Sequence, residues 1–310
     1  MKKVLVTGGA GFIGSNFVNK SLRDRPDLEI TVLDALTYAG KLSNLDPVKD
    51  QITFIQGDIR DASLVSKVVA GQDLIVHFAA ESHNDNSLKN PILFVETNVV
   101  GTANLVSAAV KNDVRFHHIS TDEVYGDLPL GSTEKFTEET PYNPSSPYSA
   151  SKAASDMLVR AWVRSFSLRA TITNCSNNYG PNQHSEKFIP TLISNLKMGR
   201  KPPIYGDGRN VRDWMHVDDH TEGIWATINH GRIGETYLLG ANNERSNKDV
   251  LAAILHEFEL PLDFFEAVID RPGHDLRYAI DASKARLELG WNPKYTNFDQ
   301  NIRDLVLLYR

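Results

Sequence analysis

The chain has 310 residues, enough for one large domain or two of ordinary size, and its composition is that of a globular protein, 41% hydrophobic and 23% charged. A formal net charge of −6 argues against nucleic acid as the main partner, and the single cysteine, Cys175, excludes an intrachain disulfide and reads as a small buried apolar residue. The first eight residues carry too few apolar side chains for a signal-peptide core, and no apolar run approaches the roughly 20 residues that span a bilayer, so the expected location is the cytoplasm.

Residues 4–6 read as a short buried strand, followed at once by Gly8, Gly9, Gly11 and Gly14 and then by a helix over 15–22 with Phe17, Val18 and Leu22 at helical spacing. In that context a glycine run binds phosphate. The glycines permit a tight turn and close backbone approach, and the pyrophosphate sits on the positive N-terminus of the helix. Residues 29–34 predict a second strand ending in Asp34. An acid there accepts the hydroxyls of an adenine ribose and repels a 2′-phosphate, and Ala35 supplies no arginine to bind one, which favours NAD over NADP. The alternative is a plain surface acid at a strand end. A third strand and turn cover 52–59; Asp58 there either meets the adenine or caps the helix starting near Ala62. A fourth strand ends in Ala79 and Ala80, where a cofactor can pass closely. A helix over 96–110 follows, and then a fifth strand over 114–119 that delivers Thr121, Asp122 and Glu123.

This alternation predicts an α/β fold: a Rossmann-like, doubly wound parallel sheet whose ligands bind beyond the carboxyl ends of the strands. A Pro- and Ser-rich loop over 141–147 precedes a helix over 148–166 and a sixth strand over 169–174. Beyond 181 the pattern breaks into short pieces, as expected of a smaller mixed α/β substrate-binding region. The expected division is an NAD-binding domain over 1–175, with a return segment at about 211–240 that includes a strand at 236–239, and an interleaved substrate-binding region over 176–310.

Tyr148 and Lys152 stand four apart, on one face of a helix. A phenol with a reference pKa near 10 is a poor base, but a neighbouring ammonium stabilises its phenolate. Tyr148 can then take a proton from a sugar hydroxyl while hydride leaves the same carbon for NAD. The Asp122–Glu123 pair points further. Beside a new ketone a C–H bond becomes acidic; one carboxylate can abstract that proton while a carboxylic acid protonates a departing hydroxyl, with net loss of water. The plainer alternatives are that the pair caps the next segment or is solvated, and that Thr121 caps rather than bonding the reacting hydroxyl. Lys187, Arg212 and Arg271, with His274, cluster in the irregular region as a shared anion site, although each alone reads as a solvated surface charge. His216 and His220 have the spacing of a metal pair but lack a third ligand cluster and open a helix with acids in its first turn, so no metal is expected. One of His117 and His118, in a strand, is expected to be buried and hydrogen-bonded.

On these residues the chain resembles the extended short-chain dehydrogenase/reductase superfamily and, within it, the dTDP-glucose 4,6-dehydratase family, over nearly its whole length. Residues 8–14 are similar to the superfamily loop, and 36–40, 79–83, 119–127, 146–152, 174–181, 186–190, 212–214 and 270–275 to the dehydratase versions of their motifs. Thr121-Asp122-Glu123 is the specific part, since related epimerases and decarboxylases lack the acid pair there. The resemblance implies NAD held by Gly8, Gly11, Phe12, Ile13, Gly14, Asp34, Leu36, Thr37, Asp58, Ile59, Ala79, Ala80, Ser82, Thr97, Tyr148, Lys152 and Asn178. It implies a nucleotide sugar, dTDP-glucose, held by His83, Thr121, Asn177, Lys187, Tyr205, Arg212, Asn247, Arg271 and His274. It also implies that Tyr148 takes the O4 proton, Glu123 the C5 proton, and that Asp122 protonates the C6 hydroxyl. Hydride goes from C4 to a retained NAD and back to C6, and a homodimer forms through helices on the domain face. Ala35 stands where the family often has Lys, and Asn182 where an aromatic is common. Asn84 and Asn86 stand where many members have Val and Arg; they are expected beside the sugar pocket and away from the acid, base and hydride positions. Two other readings remain: a sugar-nucleotide 4-epimerase or decarboxylase, in which Glu123 has no work, and a non-catalytic NAD-binding sensor, which needs none of the four reactive side chains.

Overall fold

Short β-branched runs build the centre of the molecule. The computed structural model describes residues 1–270 and 274–309. Seven strands form one sheet: β1 (Lys3–Thr7), β2 (Glu29–Asp34), β3 (Ile52–Gln56), β4 (Leu74–His77), β5 (Arg115–Thr121), β6 (Ala170–Cys175) and, returning late in the chain, Thr236–Leu239. Every pairing is parallel, and the order runs from the returning strand through β6, β5, β4, β1 and β2 to β3. Strand order reverses between β1 and β4, which opens a crevice at their carboxyl ends.

Alternate residues of each strand feed opposite faces. Leu5, Leu33, Ile75 and Phe116 pack with Leu105, Val106 and Val159 on one face; Val4, Val6, Val32 and Val76 pack with Phe17, Val18, Trp225 and Ile228 on the other. The helix Pro91–Lys111 on the first face begins earlier than the sequence pattern indicates and contains a π-helical turn, Val95–Val100. Its length and composition would pass for a bilayer span, contrary to the sequence reading, which looked for an unbroken apolar run. In the fold its inner side is buried: Asn98 accepts the Glu81 N–H at 2.9 Å and donates to Glu81 O at 3.0 Å and to Ser151 Oγ at 2.8 Å.

The irregular part carries small sheets. Continuing in chain order, β7 (Asn177–Tyr179), β9 (Val211–His216) and β11 (Glu244–Ser246) form one, while β8 (Pro203–Tyr205) pairs with β12 (Glu266–Val268); the returning strand is β10. The segment expected to return to the main sheet therefore divides. β9 stays in the three-stranded sheet, and only the helix Val217–His230 and β10 go back. Tyr179, Ile193, Trp214, Val250, Ile254 and Phe298 make the core of this part.

Candidate active site

A cleft of about 740 Å³ lies beyond the carboxyl ends of β1, β2, β4 and β5. At one end is a glycine cradle. Gly8 has φ +70°, and a Cβ there would stand 2.5 Å from the Ala79 nitrogen; a Cβ at Gly14 would stand 2.3 Å from Gly8 O. The helix Phe12–Asp24 starts from Gly11 with no side-chain cap and no acid in its first turn, leaving its positive end to an anion. Asp34 is buried at the end of β2; its carboxylate accepts the amides of Ala10 at 2.9 Å and Leu36 at 2.8 Å. Burial pushes this carboxyl up, although the two amides pull the other way. The donors fit NAD: a backbone cradle that a side chain would fill, an open helix end for pyrophosphate, and a buried acid for the ribose.

Gly11, Phe12, Ile13, Thr37, Asp58, Ile59, Ala79, Ala80, Ser82, Thr97 and Asn178 line this cleft as the sequence suggested, and so does Ala35. Leu36 does not; it contributes its amide to Asp34 instead. Asp58 does not cap the following helix. It pairs with Arg60 at 2.6 Å, and Asp61 caps Ala62–Val69 by accepting the Ser63 and Leu64 amides at 2.9 and 3.0 Å. Asp58 stands too early in the chain to reach those amides. Arg60, also lining the cleft, reaches Glu96 at 3.4 Å as well, so its charge already faces two carboxylates.

The reactive groups gather at the other end. Thr121 ends β5 and caps the 3-10 turn Asp122–Tyr125: its Oγ1 accepts the Glu123 N–H and donates to Asp122 Oδ1, each at 3.3 Å. Asp122 drops inward and is only 2% exposed. Burial first, and the neighbouring Glu123 charge second, push its carboxyl well above the usual range, which favours the protonated form. Its Oδ2 has no hydrogen-bond partner among the described residues. Glu123 stays at the cleft wall, half-buried, where Oε2 accepts from Asn84 Nδ2 at 2.8 Å.

The helix Pro147–Phe166 begins with a capping box. Ser146 Oγ accepts the Ser149 N–H at 3.1 Å, Ser149 Oγ accepts the Ser146 N–H at 3.0 Å, and Pro147 opens the first turn. Tyr148 and Lys152 follow one turn apart, both buried. Phe94 meets the Tyr148 ring edge-on at 6.3 Å. Burial and then the Glu123 charge push the phenol well up, while a hydrogen bond with Thr121 acts the other way. Burial pulls the Lys152 ammonium down, and Nζ donates to Ile119 O at 2.7 Å. The lysine is thus anchored on β5, one helical turn from the phenol. Behind them Asp156 accepts from Ser120 Oγ and Tyr142 OH, each at 2.9 Å, and from Asn174 Nδ2 at 3.1 Å, and faces His118 Nε2 at 3.2 Å. Cys175 is buried, its thiol pushed up to about 12 by burial and then by Asp122.

The expected sugar-nucleotide groups separate. Thr121, Asn177 and Lys187 line the cleft, with Lys187 Nζ donating to Ser82 O at 3.0 Å. His83 precedes the helix Asn84–Lys89 at its cap position, outside the cleft lining. Arg212 is buried outside it too. Its guanidinium donates to Val211 O and Asp275 O, each at 2.8 Å, and lies 4.1 Å over the Tyr278 ring. Asn247 opens the helix Asn247–Glu257, and its N–H bonds Asn210 O at 2.9 Å. Tyr205 meets His274 edge-on at 6.1 Å, and His274 pairs with Asp270 at 2.6 Å. Arg271 lies outside the described residues. A single shared anion site is therefore not assembled among the described residues: backbone carbonyls occupy Arg212, and His274 faces a carboxylate. His216 caps the helix Val217–His230 by accepting the Asp218 N–H at 3.2 Å, and His220 bonds Asn178 Oδ1 at 3.0 Å.

Asn84, expected away from the acid and base, bonds Glu123 directly in the fold. Asn98 and Asp156 carry no local signal in the sequence, since their partners come from other elements.

A parallel Rossmann sheet with a glycine cradle, a buried tyrosine–lysine pair and two unlike acids on one cleft defines a class, the NAD-dependent extended short-chain dehydrogenases/reductases. Within it, residues 5–305 match the family model described as GDP-mannose 4,6 dehydratase, and the chain belongs to that family. It is 58% identical over 308 residues to dTDP-glucose 4,6-dehydratase of Mycobacterium tuberculosis, covering 99% of this chain and 93% of the relative. It is 47% identical over 335 residues to dTDP-glucose 4,6-dehydratase 1 of Escherichia coli, covering 99% and 92%. The structure of DesIV, a dTDP-glucose 4,6-dehydratase from Streptomyces venezuelae solved with NAD, is similar with a TM-score of 0.96 at 47% identity over 99% of this chain and 97% of that one. UDP-glucose 4-epimerase of Thermus thermophilus, solved with NAD, gives a TM-score of 0.90 at 30% identity over 99% of both chains.

Proposed function

We propose that this protein is a dTDP-glucose 4,6-dehydratase that converts dTDP-glucose to dTDP-4-keto-6-deoxyglucose. The observation that carries the reading is the pair Asp122 and Glu123: one acid buried with its carboxyl pushed well up, the next at the wall of the same cleft as Tyr148. A 4-epimerase of this fold needs the tyrosine but has no use for two acids in unlike environments.

Bound NAD supplies an acceptor for hydride from C4 and returns that hydride to C6. Tyr148 takes the O4 proton, and the Lys152 charge, once aligned with the bound cofactor, favours the phenolate against the burial that opposes it. The C4 ketone acidifies C5–H, and Glu123 removes that proton. Asp122 gives its proton to the C6 hydroxyl as it leaves as water, and C5 then recovers a proton from Glu123. Each turnover leaves Tyr148 one proton richer and Asp122 one poorer; Thr121 bonds Asp122 and lines the same cleft as Tyr148.

The exposed apolar side chains Leu88, Ile92, Val95, Val100 and Met157 lie on the neighbouring helices Asn84–Lys89, Pro91–Lys111 and Pro147–Phe166. A soluble monomer would leave this patch wet, which supports a homodimer through these helices. A lone, buried cysteine is consistent with a reducing, cytoplasmic setting.

The test is to incubate the purified protein with dTDP-glucose and no added NAD and to weigh the product. Loss of one water supports both the dehydration and a retained, recycling cofactor. No mass change with NAD added, or inversion at C4 without C5–H exchange into deuterated solvent, overturns the reading.

A further inference from the structure

Asn84 makes two hydrogen bonds that tie the acid–base machinery together. Its Nδ2 donates to Glu123 Oε2 at 2.8 Å, and its Oδ1 accepts from Ser146 Oγ at 2.8 Å. Ser146 is the residue that caps the helix of Tyr148 and Lys152. The partners fix which way the amide faces. Turned over, Oδ1 would stand at hydrogen-bond distance from a carboxylate oxygen, two acceptors with no proton between them. Against a carboxylate oxygen the amide is matched in the observed orientation and would clash electrostatically in the other.

The geometry points to Asn84 as a positioning residue for C5 deprotonation that serves both protonation states of Glu123. This rests on Glu123 being the C5 base. When Glu123 takes the proton, the C5–H bond breaks and its electron pair is delocalised onto the C4 ketone oxygen. Glu123 is then a carboxylic acid and needs an acceptor. A half-turn of the Asn84 amide brings Oδ1 to the new O–H and Nδ2 to Ser146 Oγ. Ser146 can accept that bond because its own proton has a second destination, Ser149 Oγ at 2.9 Å. When the proton goes back to C5, the amide turns back. Ionised or protonated, the base keeps a matched partner, and neither state is left with an unpaired polar group against the cleft wall. An aliphatic residue at position 84 would offer nothing to either state and would leave the Glu123 side chain free to turn.

The test uses the NAD-loaded enzyme with dTDP-glucose. Asn84→Leu keeps the size of the side chain and removes both polar ends. The expected result is a fall of roughly tenfold or more in kcat and in C5–H exchange with deuterated solvent, at unchanged KM, the scale of one lost hydrogen bond to a charged group. C4 oxidation should persist, so the absorbance of the reduced cofactor should build up during turnover. Asn84→Asp, which keeps the shape but sets a second carboxylate against Glu123, should slow exchange at least as far, and it decides the matter if the leucine variant does not fold. Native exchange in either folded variant overturns the assignment. So does an equal loss of C4 oxidation and exchange, because a merely structural role would slow both. Absence of C5–H exchange in the unaltered enzyme would remove Glu123 as the base, and the role of Asn84 with it.

Discussion

Asp122 and Glu123 share a peptide bond but not an environment. The Asp122 side chain points into the protein, where burial favours its protonated form; Glu123 reaches the cleft wall and the Asn84 amide. A proton donor and a proton acceptor can therefore stand side by side at one pH. Asp122→Asn keeps the shape and the bond from Thr121 but has no acidic proton to give. Water loss should fall by roughly 10²- to 10⁴-fold, the usual weight of a general acid, while C4 oxidation continues. Product mass and cofactor absorbance, followed together, check this, and unchanged water loss would exclude Asp122 as the acid. At this scale the sequence was informative where partners are neighbours along the chain: the acid pair, the glycines, Tyr148 and Lys152 one turn apart. It was silent where partners are distant. Asn84 and Glu123 are 39 positions apart, and no local pattern links them. Arg212 is a second case. An arginine in an irregular segment resembles an anion ligand, and its planar fork also matches the carbonyls at 211 and 275, between which composition does not choose.

The helix Pro147–Phe166 carries Tyr148 and Lys152 in its first two turns, so its N-terminal cap helps to place both side chains. Ser146→Ala removes the acceptor for the Ser149 amide, which should cost about 1 kcal/mol in denaturant unfolding. Activity should fall further than that stability loss suggests, because Tyr148 lies in the uncapped turn and Asn84 loses its second partner. Ser146→Thr keeps the hydroxyl and should retain both. Full activity in the alanine variant would mean that the first turn holds without its cap. The large elements were readable from pattern: buried parallel strands are β-branched runs, each closed by Gly, Asp or a small residue, with amphipathic helices between them. The pieces that were not readable are short or irregular. β7, β8, β11 and β12 have three residues each, too few for any periodicity to register. The π-helical turn at Val95–Val100 leaves no mark in composition, and Pro91, which reads as a break, is the first residue of the helix.

Across the whole molecule, four buried histidines join strand to strand or strand to helix. His77 on β4 meets Thr7 Oγ1 at 2.7 Å and Thr102 Oγ1 at 3.0 Å; His117 on β5 meets Thr171 Oγ1 at 2.9 Å and Thr173 Oγ1 at 3.2 Å. His118 faces Asp156, and His220 joins the helix Val217–His230 to Asn178. Burial pushes every one of these imidazoles below its ordinary 6.5, His77 and His117 well below, His118 to about 4 and His220 to about 3. The unfolded chain takes up protons near 6.5 and the folded one does not. The stability these groups contribute is therefore fully present above that value and is lost as pH falls from it toward the folded values, at about 1.4 kcal/mol per pH unit for each histidine still neutral in the fold. Asp34, Glu81, Asp122, Glu138, Asp213 and Asp219, all pushed up by burial, act in the opposite sense, since the cost of burying them is relieved as pH falls, and they offset part of this loss. Urea unfolding at a series of pH values from about 7.5 down to 4.5 should show a midpoint that holds near neutrality and then falls below about 6.5, with little change in the slope m. His117→Gln, which can keep a hydrogen bond to a strand threonine but has no proton to gain, should make that fall shallower by about one histidine's share. A midpoint that stays level to pH 5 would mean that these rings are charged inside the fold, and that hydroxyls and burial do not set the acid limit of this protein.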